Sequence, residues 1–195
     1  TTEDLALTKS EEPRPERNGG FKVLSAGTLI RVKGFGLAIK AFKEFAVNCP
    51  EANFEIVGSG PEEPRLRELI EEAGLQSKVT LQPAVPRPEL LSKMTESDVF
   101  LFPSLRDGGG AVVIEAMAAG KPVVCLNTGG PGTHVNQECG FKIKPESPGS
   151  SATELARALT LLYENKELCA NLGKAGRARA ECEYHWDRLG DRLMD

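Results

Sequence analysis

No run of 18 or more apolar residues occurs in this 195-residue sequence, and its N-terminus lacks a basic segment followed by an apolar one. A membrane span and a secretion signal are therefore not expected. Positive charge is in deficit: 24 Lys and Arg stand against 28 Asp and Glu, a formal net charge of -4. Nonspecific nucleic-acid binding relies on a strong positive field, so nucleic acid is not an expected partner. The five cysteines, Cys49, Cys125, Cys139, Cys169 and Cys182, form no C-x-x-C pair and no Cys/His metal spacing. An odd, unpaired set reads as the reduced thiols of a cytoplasmic protein. There is no D-x-D and no His/carboxylate cluster, so neither a metal nor another cofactor is expected. The first apolar run is not followed by G-x-G-x-x-G, which speaks against an NAD domain. Histidine is scarce as well. His134 and His185 have no Ser, Cys or acid at a suggestive spacing and read as structural or solvated, and the single tryptophan, Trp186, reads as a packing residue.

What is present suffices for one domain: 21.0 kDa, 40% hydrophobic, is enough for a real core and too little for two domains of ordinary size. Residues 1–20 are polar, with Pro13, Pro15 and a closing Gly19-Gly20, and read as a linker or disordered tail. A chain opening on Thr1 rather than Met reads as processed or excised. From Phe21 to the end, short apolar runs alternate with amphipathic stretches, the pattern of βα units in a parallel sheet. Strands are predicted at Lys22–Ala26, Phe54–Val57, Val79–Gln82, Val99–Phe102, Pro122–Leu126 and Gly140–Ile143. Helices are predicted at Phe35–Asn48, Glu62–Ala73, Pro88–Thr95, Ala111–Ala119, Ala152–Asn165, Glu167–Glu183 and Trp186–Met194. Gly74, Gly120 and Gly173 suit helix-stopping positions. In such a fold ligands bind at the carboxyl ends of the strands. Every candidate motif falls there: Gly27–Gly34, Gly58–Gly60, Gln82–Arg87, Pro103–Gly110 and Asn127–Gly132.

The most informative stretch is Asp107 to Val124, DGGGAVVIEAMAAGKPVV. Gly108, Gly109 and Gly110 let the backbone approach a ligand, and the free N–H groups of a helix starting near Ala111 attract an anion. A carboxylate beside a diphosphate is repelled, so Asp107 and Glu115 suit neutral hydroxyls such as a sugar diol. Spacing alone is weak, since 28 acids in 195 residues supply about four pairs eight apart by chance. Context narrows it: Glu115 lies within two turns of the helix start, and its side chain leans back toward Asp107. The plain alternative is a Gly-rich turn with a solvated Asp and a Glu that complements the helix dipole. Arg31 and Lys33, in the first βα loop, are cations placed to meet the same anion.

The segment Phe102–Val124 resembles the E-x7-E region of retaining GT-B glycosyltransferases, the glycosyl transferase group 1 family (family four). The likeness extends through Ala26-Gly-Thr-Leu-Ile-Arg-Val-Lys-Gly34, Phe54-Glu-Ile-Val-Gly-Ser-Gly60, Gly129-Gly-Pro131 and Tyr184-His-Trp-Asp187. It implies a Rossmann-like, doubly wound α/β domain over 21–195, the C-terminal half of a GT-B enzyme. That domain would bind the nucleoside-diphosphate-sugar donor and pass the sugar to an acceptor hydroxyl. The acceptor would sit mainly on an absent N-terminal domain, through which peripheral membrane contact could also run. By position, Asp107 contacts the transferred sugar, and Glu115 the ribose. Lys33 matches the family lysine that neutralises the leaving diphosphate, and Arg31 stands in for an arginine commonly found where this chain has Thr28. Gly27, Thr28, Gly58, Gly60, Pro83 and Gly108 to Ala111 complete the expected donor-binding set. The rival expectations are a noncatalytic nucleotide- or sugar-binding module and half of a nucleotide-sugar epimerase.

Overall fold

The computed structural model describes residues 20–184. Six parallel strands, β1 (Lys22–Ala26), β2 (Asn53–Val57), β3 (Val79–Gln82), β4 (Val99–Phe102), β5 (Val123–Leu126) and β6 (Gly140–Ile143), form one sheet in the order β3-β2-β1-β4-β5-β6. The helices are α1 (Phe35–Asn48), α2 (Glu63–Glu72), α3 (Arg87–Glu96), α4 (Ala111–Ala118), α5 (Gly129–His134), α6 (Pro148–Glu164) and α7 (Lys166–Glu183). The sequence pattern explains the strand order. β4 (VFLF) and β5 (VVCL) are buried at every residue, as central strands covered on both faces must be, whereas β3 (VTLQ) and β6 (GFKI) alternate and lie at the edges.

Alternate residues of the strands feed two cores. Val23, Phe54, Ile56, Leu101 and Val124 pack under α1, α2 and α6; Leu24, Phe100, Phe102, Val123 and Cys125 pack under α3, α4 and one residue of α7, Ala180. The domain is thus doubly wound and Rossmann-like, as the alternating pattern predicts. In the first core Phe42 lies 5.2 Å from Phe54 and 5.9 Å from Phe45, ring centre to ring centre. Each such buried ring contributes roughly 1.5 to 3 kcal/mol.

Four expectations need correction or closure. Gly129 to Gly132, part of the loop read over Asn127–Gly132, lie in the short helix α5 (Gly129–His134). α6 begins at Pro148 rather than Ala152, because Ser147 and Ser150 cap each other's backbone N–H groups and Pro148 occupies the first helical turn. Gly173 stops nothing: it lies inside α7, where a Cβ would stand 2.2 Å from the Gly120 carbonyl oxygen. Its missing side chain lets α7 approach the turn after α4. The 1–19 part of the predicted tail, His185 and the Trp186–Met194 helix lie outside the described residues. Gly74 and Gly120, both at φ +70°, do end helices.

Candidate functional site

After β3 the chain crosses to the far side of β1, so the crevice between the carboxyl ends of β1 and β4 is the topological switch point. Two loops flank it, and backbone bonds fasten them. The Leu105 N–H donates to the Val32 carbonyl (2.8 Å), and Ser104 Oγ donates to the same oxygen (3.2 Å). This brings Lys33, at the end of a 3-10 turn over Arg31–Lys33, onto Asp107: Nζ donates to Oδ2 of the carboxylate and stands 5.6 Å from the centre of the Phe102 ring. The other Asp107 oxygen accepts the Gly110 N–H at 2.8 Å. Burial pushes the Asp107 carboxyl up, but the Lys33 ammonium and the Gly110 and Gly109 N–H groups outweigh it and hold it below the ordinary carboxylate value.

The three glycines of this loop differ in kind. A Cβ at Gly108 or Gly109 would meet nothing within 4 Å, so the fold does not require glycine there, and open space adjoins both. Gly110 is required. It is the N-cap of α4 at φ +58°, and a Cβ would lie 2.9 Å from His134 Cδ2. With no side chain at the cap, the N–H groups of Ala111 and Val112 find no carbonyl within their own helix, whereas those of Val113 and Ile114 donate to the Gly110 carbonyl (2.9 and 3.3 Å).

Glu115, on α4, is engaged by Arg87, whose Nε lies 2.8 Å from Oε1. Each acid of the pair therefore has a cation of its own, which the hydroxyl-only reading of the sequence missed. Arg87 had a signal: it ends the loop after β3, on the binding rim. Arg31, Thr28 and Pro83 are exposed on that rim, and Gly27 is half-buried. Gly58 and Gly60 serve packing, since a Cβ on either would strike the Gly27 or Leu29 carbonyl oxygen at 2.0 or 2.5 Å. That close approach seats the second loop beneath the first, with the Leu29 N–H donating to the Ser59 carbonyl (2.9 Å).

The contact of Gly129-Gly130-Pro131, which the sequence left unassigned, is now visible. α5 backs the glycine loop: the Gly130 N–H donates to the Asp107 carbonyl (2.8 Å), and Thr128 Oγ1 donates to the Ser104 carbonyl (2.6 Å). His134 lies with Nε2 2.8 Å from the Gly109 carbonyl oxygen and Nδ1 2.9 Å from the Tyr184 hydroxyl, which selects the structural one of the two roles, structural or solvated, that its sequence context left open. Lys121 is buried away from the crevice and donates to the Thr95 and Ser97 carbonyls at the end of α3 (2.7 and 2.9 Å). Two surface concavities of about 280 and 340 Å³, beside Arg179 and Cys182 and beside Lys142 and Glu154, lie away from the Lys33–Asp107 contact. The crevice is bordered by exposed residues, among them Thr28, Arg31, Gly108 and Gly109. Among the described residues no three His, Cys, Asp or Glu side chains gather as a metal ligand set, and no helix is long and apolar enough to cross a membrane.

The family model of "Glycosyl transferases group 1" matches residues 8–179. The chain belongs to this GT-B family. It is 33% identical over 185 residues to a D-inositol 3-phosphate glycosyltransferase of Paenarthrobacter aurescens, covering 92% of this chain and 44% of that protein. Among solved structures, it is similar to Anabaena HepE in complex with UDP, with a TM-score of 0.79 and 24% identity over 90% of this chain and 48% of that one. It is also similar to the C-terminal domain of a glycosyl transferase group 1 family protein from Francisella tularensis, with a TM-score of 0.76 and 20% identity, covering 86% and 88% of the two chains. This glycosyltransferase domain thus spans about half the length of the curated relative it matches.

Proposed function

We propose that this chain is the donor-binding domain of a retaining glycosyltransferase that moves a sugar from a nucleoside-diphosphate sugar to an acceptor hydroxyl. One observation carries the reading: a lysine, a glycine-opened helix start and an acid meet at the switch point of the sheet. The donor diphosphate lies against Lys33, Arg31 and the N–H groups opening α4, where cations and aligned N–H dipoles stabilise the charge that develops as the sugar leaves. No metal is needed for this. The open space at Gly108 and Gly109 admits the sugar and phosphates. Asp107 moves from Lys33 to a sugar hydroxyl as the diphosphate takes over the lysine, and Glu115, held by Arg87, accepts from the ribose diol. Retention of anomeric configuration follows if the leaving diphosphate assists attack by the acceptor. The acceptor is held mainly by a second, N-terminal domain that closes the open rim.

Isothermal calorimetry of the chain with a panel of nucleoside diphosphates tests the reading. Lys33→Ala is expected to weaken the tightest of them by about 1.5 to 3 kcal/mol, the range for a hydrogen bond to a charged group. Unchanged affinity, or no binding by any nucleotide, would remove the donor-site assignment.

A further inference from the structure

Lys33 reaches Asp107 from a loop that is fastened to the acid's own. The Leu105 N–H and Ser104 Oγ both donate to the Val32 carbonyl, at 2.8 and 3.2 Å, so the backbones that carry the two charges cannot part without breaking those bonds. The acid is tied twice more: the Gly130 N–H donates to its backbone carbonyl and the Gly110 N–H to its Oδ1, each at 2.8 Å. Its other side-chain oxygen, Oδ2, accepts from Lys33 Nζ. The lysine and acid side chains are 20% and 14% exposed, and charges shielded in this way are screened less than those in open water. Burial raises the Asp107 carboxyl, but Lys33 and the Gly110 and Gly109 N–H groups hold it below its ordinary value, so it is ionised at neutral pH. The ammonium can swing on its flexible stem, whereas the short, anchored acid can only turn Oδ2 elsewhere. A phosphate that takes Lys33 therefore stands beside a carboxylate.

A donor and its product meet that carboxylate differently. A sugar ester brings hydroxyls, to which Oδ2 turns once the lysine is taken. The nucleoside diphosphate left after transfer brings none. Its terminal phosphate also carries about 1.5 to 2 negative charges at pH 7, against a single charge once it is esterified with the sugar. We propose that Asp107 is a specificity-determining residue that weights the site against the nucleoside diphosphate and toward its sugar ester, by competing with the terminal phosphate for Lys33. The inference rests on the donor-site reading above and adds to it a device that favours release of the spent nucleotide.

The test is isothermal calorimetry of the chain with UDP and GDP, and with UDP-glucose and GDP-mannose as their sugar esters. Asp107→Asn keeps a carbonyl oxygen for the Gly110 N–H and removes the charge. It is expected to tighten the better-bound diphosphate about tenfold, the size of one charge contact at a partly wet site. The matching ester should tighten by no more than about threefold, because it loses a hydrogen bond to a charged acceptor. A diphosphate bound no more tightly by Asp107→Asn, with native circular dichroism, overturns the proposal, as does equal tightening of diphosphate and ester. In a Lys33→Ala background the same change is expected to tighten the diphosphate by no more than about threefold, since no lysine is left to compete for; equal tightening in both backgrounds overturns the competition. Lys33→Ala alone separates the two layers. If it leaves diphosphate binding unchanged, or if wild type binds no nucleotide, the donor reading and this inference fall together; if it weakens binding while Asp107→Asn does not tighten it, this inference alone falls. Should Asp107→Asn fail to fold, Asp107→Ser, whose hydroxyl accepts the same N–H without a charge, decides with the same expectations.

Discussion

At the scale of single residues, the neighbouring glycines separate fold from function. Gly110→Ala places a Cβ at φ +58° and 2.9 Å from His134. The left-handed conformation alone costs about 1 to 2 kcal/mol, so urea denaturation should show a destabilisation of at least that size. Gly109→Ala meets nothing within 4 Å. Its stability is expected to stay within about 0.5 kcal/mol of wild type, as for surface changes in general, while nucleotide affinity falls in calorimetry. Asp107 makes a second test. Its carboxyl is held below the ordinary value, so the folded state binds a proton less readily than the unfolded chain does. The stabilisation from its contact with Lys33 is therefore complete above the unfolded value of about 4 and is lost as pH falls through the lower, folded one. The gap in thermal midpoint between wild type and Asp107→Asn should be constant near neutral pH and close below about pH 4. A gap that persisted to the lowest measurable pH would show that the carboxylate charge is not its source.

At the scale of elements, helices and strands with strong apolar periodicity were legible and those built on glycine were not. β1, β3, β4 and β6 occupy the residues their patterns predict, because a fully or alternately apolar run of four or five residues has few other ways to be buried. α5 escaped because Gly-Gly-Pro-Gly reads as a turn from local preference. Its helix persists through tertiary bonds to Asp107 and Ser104 instead. Gly173 shows the same override with the opposite sign. In an isolated helix a Gly→Ala change stabilises by about 1 kcal/mol. Inside α7 the new methyl would stand 2.2 Å from the Gly120 oxygen, so Gly173→Ala is expected to destabilise by roughly 1 to 3 kcal/mol, the usual cost of overpacking. Chemical denaturation reads the sign directly.

At the scale of the whole molecule, the crevice proposed for the donor is bordered by exposed loop residues, among them Arg31, Gly108 and Gly109, and the chain spans 44% of its Paenarthrobacter relative. An open site leaves the departing sugar exposed to water, whereas transfer needs an acceptor held in line with the bond that breaks. The chain by itself is thus expected to bind a nucleoside diphosphate weakly and to transfer no sugar. Incubation with nucleotide sugars and simple acceptors, followed by mass spectrometry, checks this. Robust transfer by the chain alone would overturn the two-domain reading.

The sequence by itself determined the α/β architecture and the rim on which Lys33, Asp107, the glycines and Glu115 stand, because burial patterns and chain direction dictate which ends of the strands carry the loops. Only the tertiary structure decided which charges meet. Lys33 finds Asp107 across 74 positions of sequence, and Arg87 finds Glu115 across the rim. It also decided that Gly58, Gly60 and Gly173 serve close packing, and that His134 holds the loop rather than lying in solvent. Pairings of this kind depend on how loops from separate strands approach one another. No local periodicity encodes that approach.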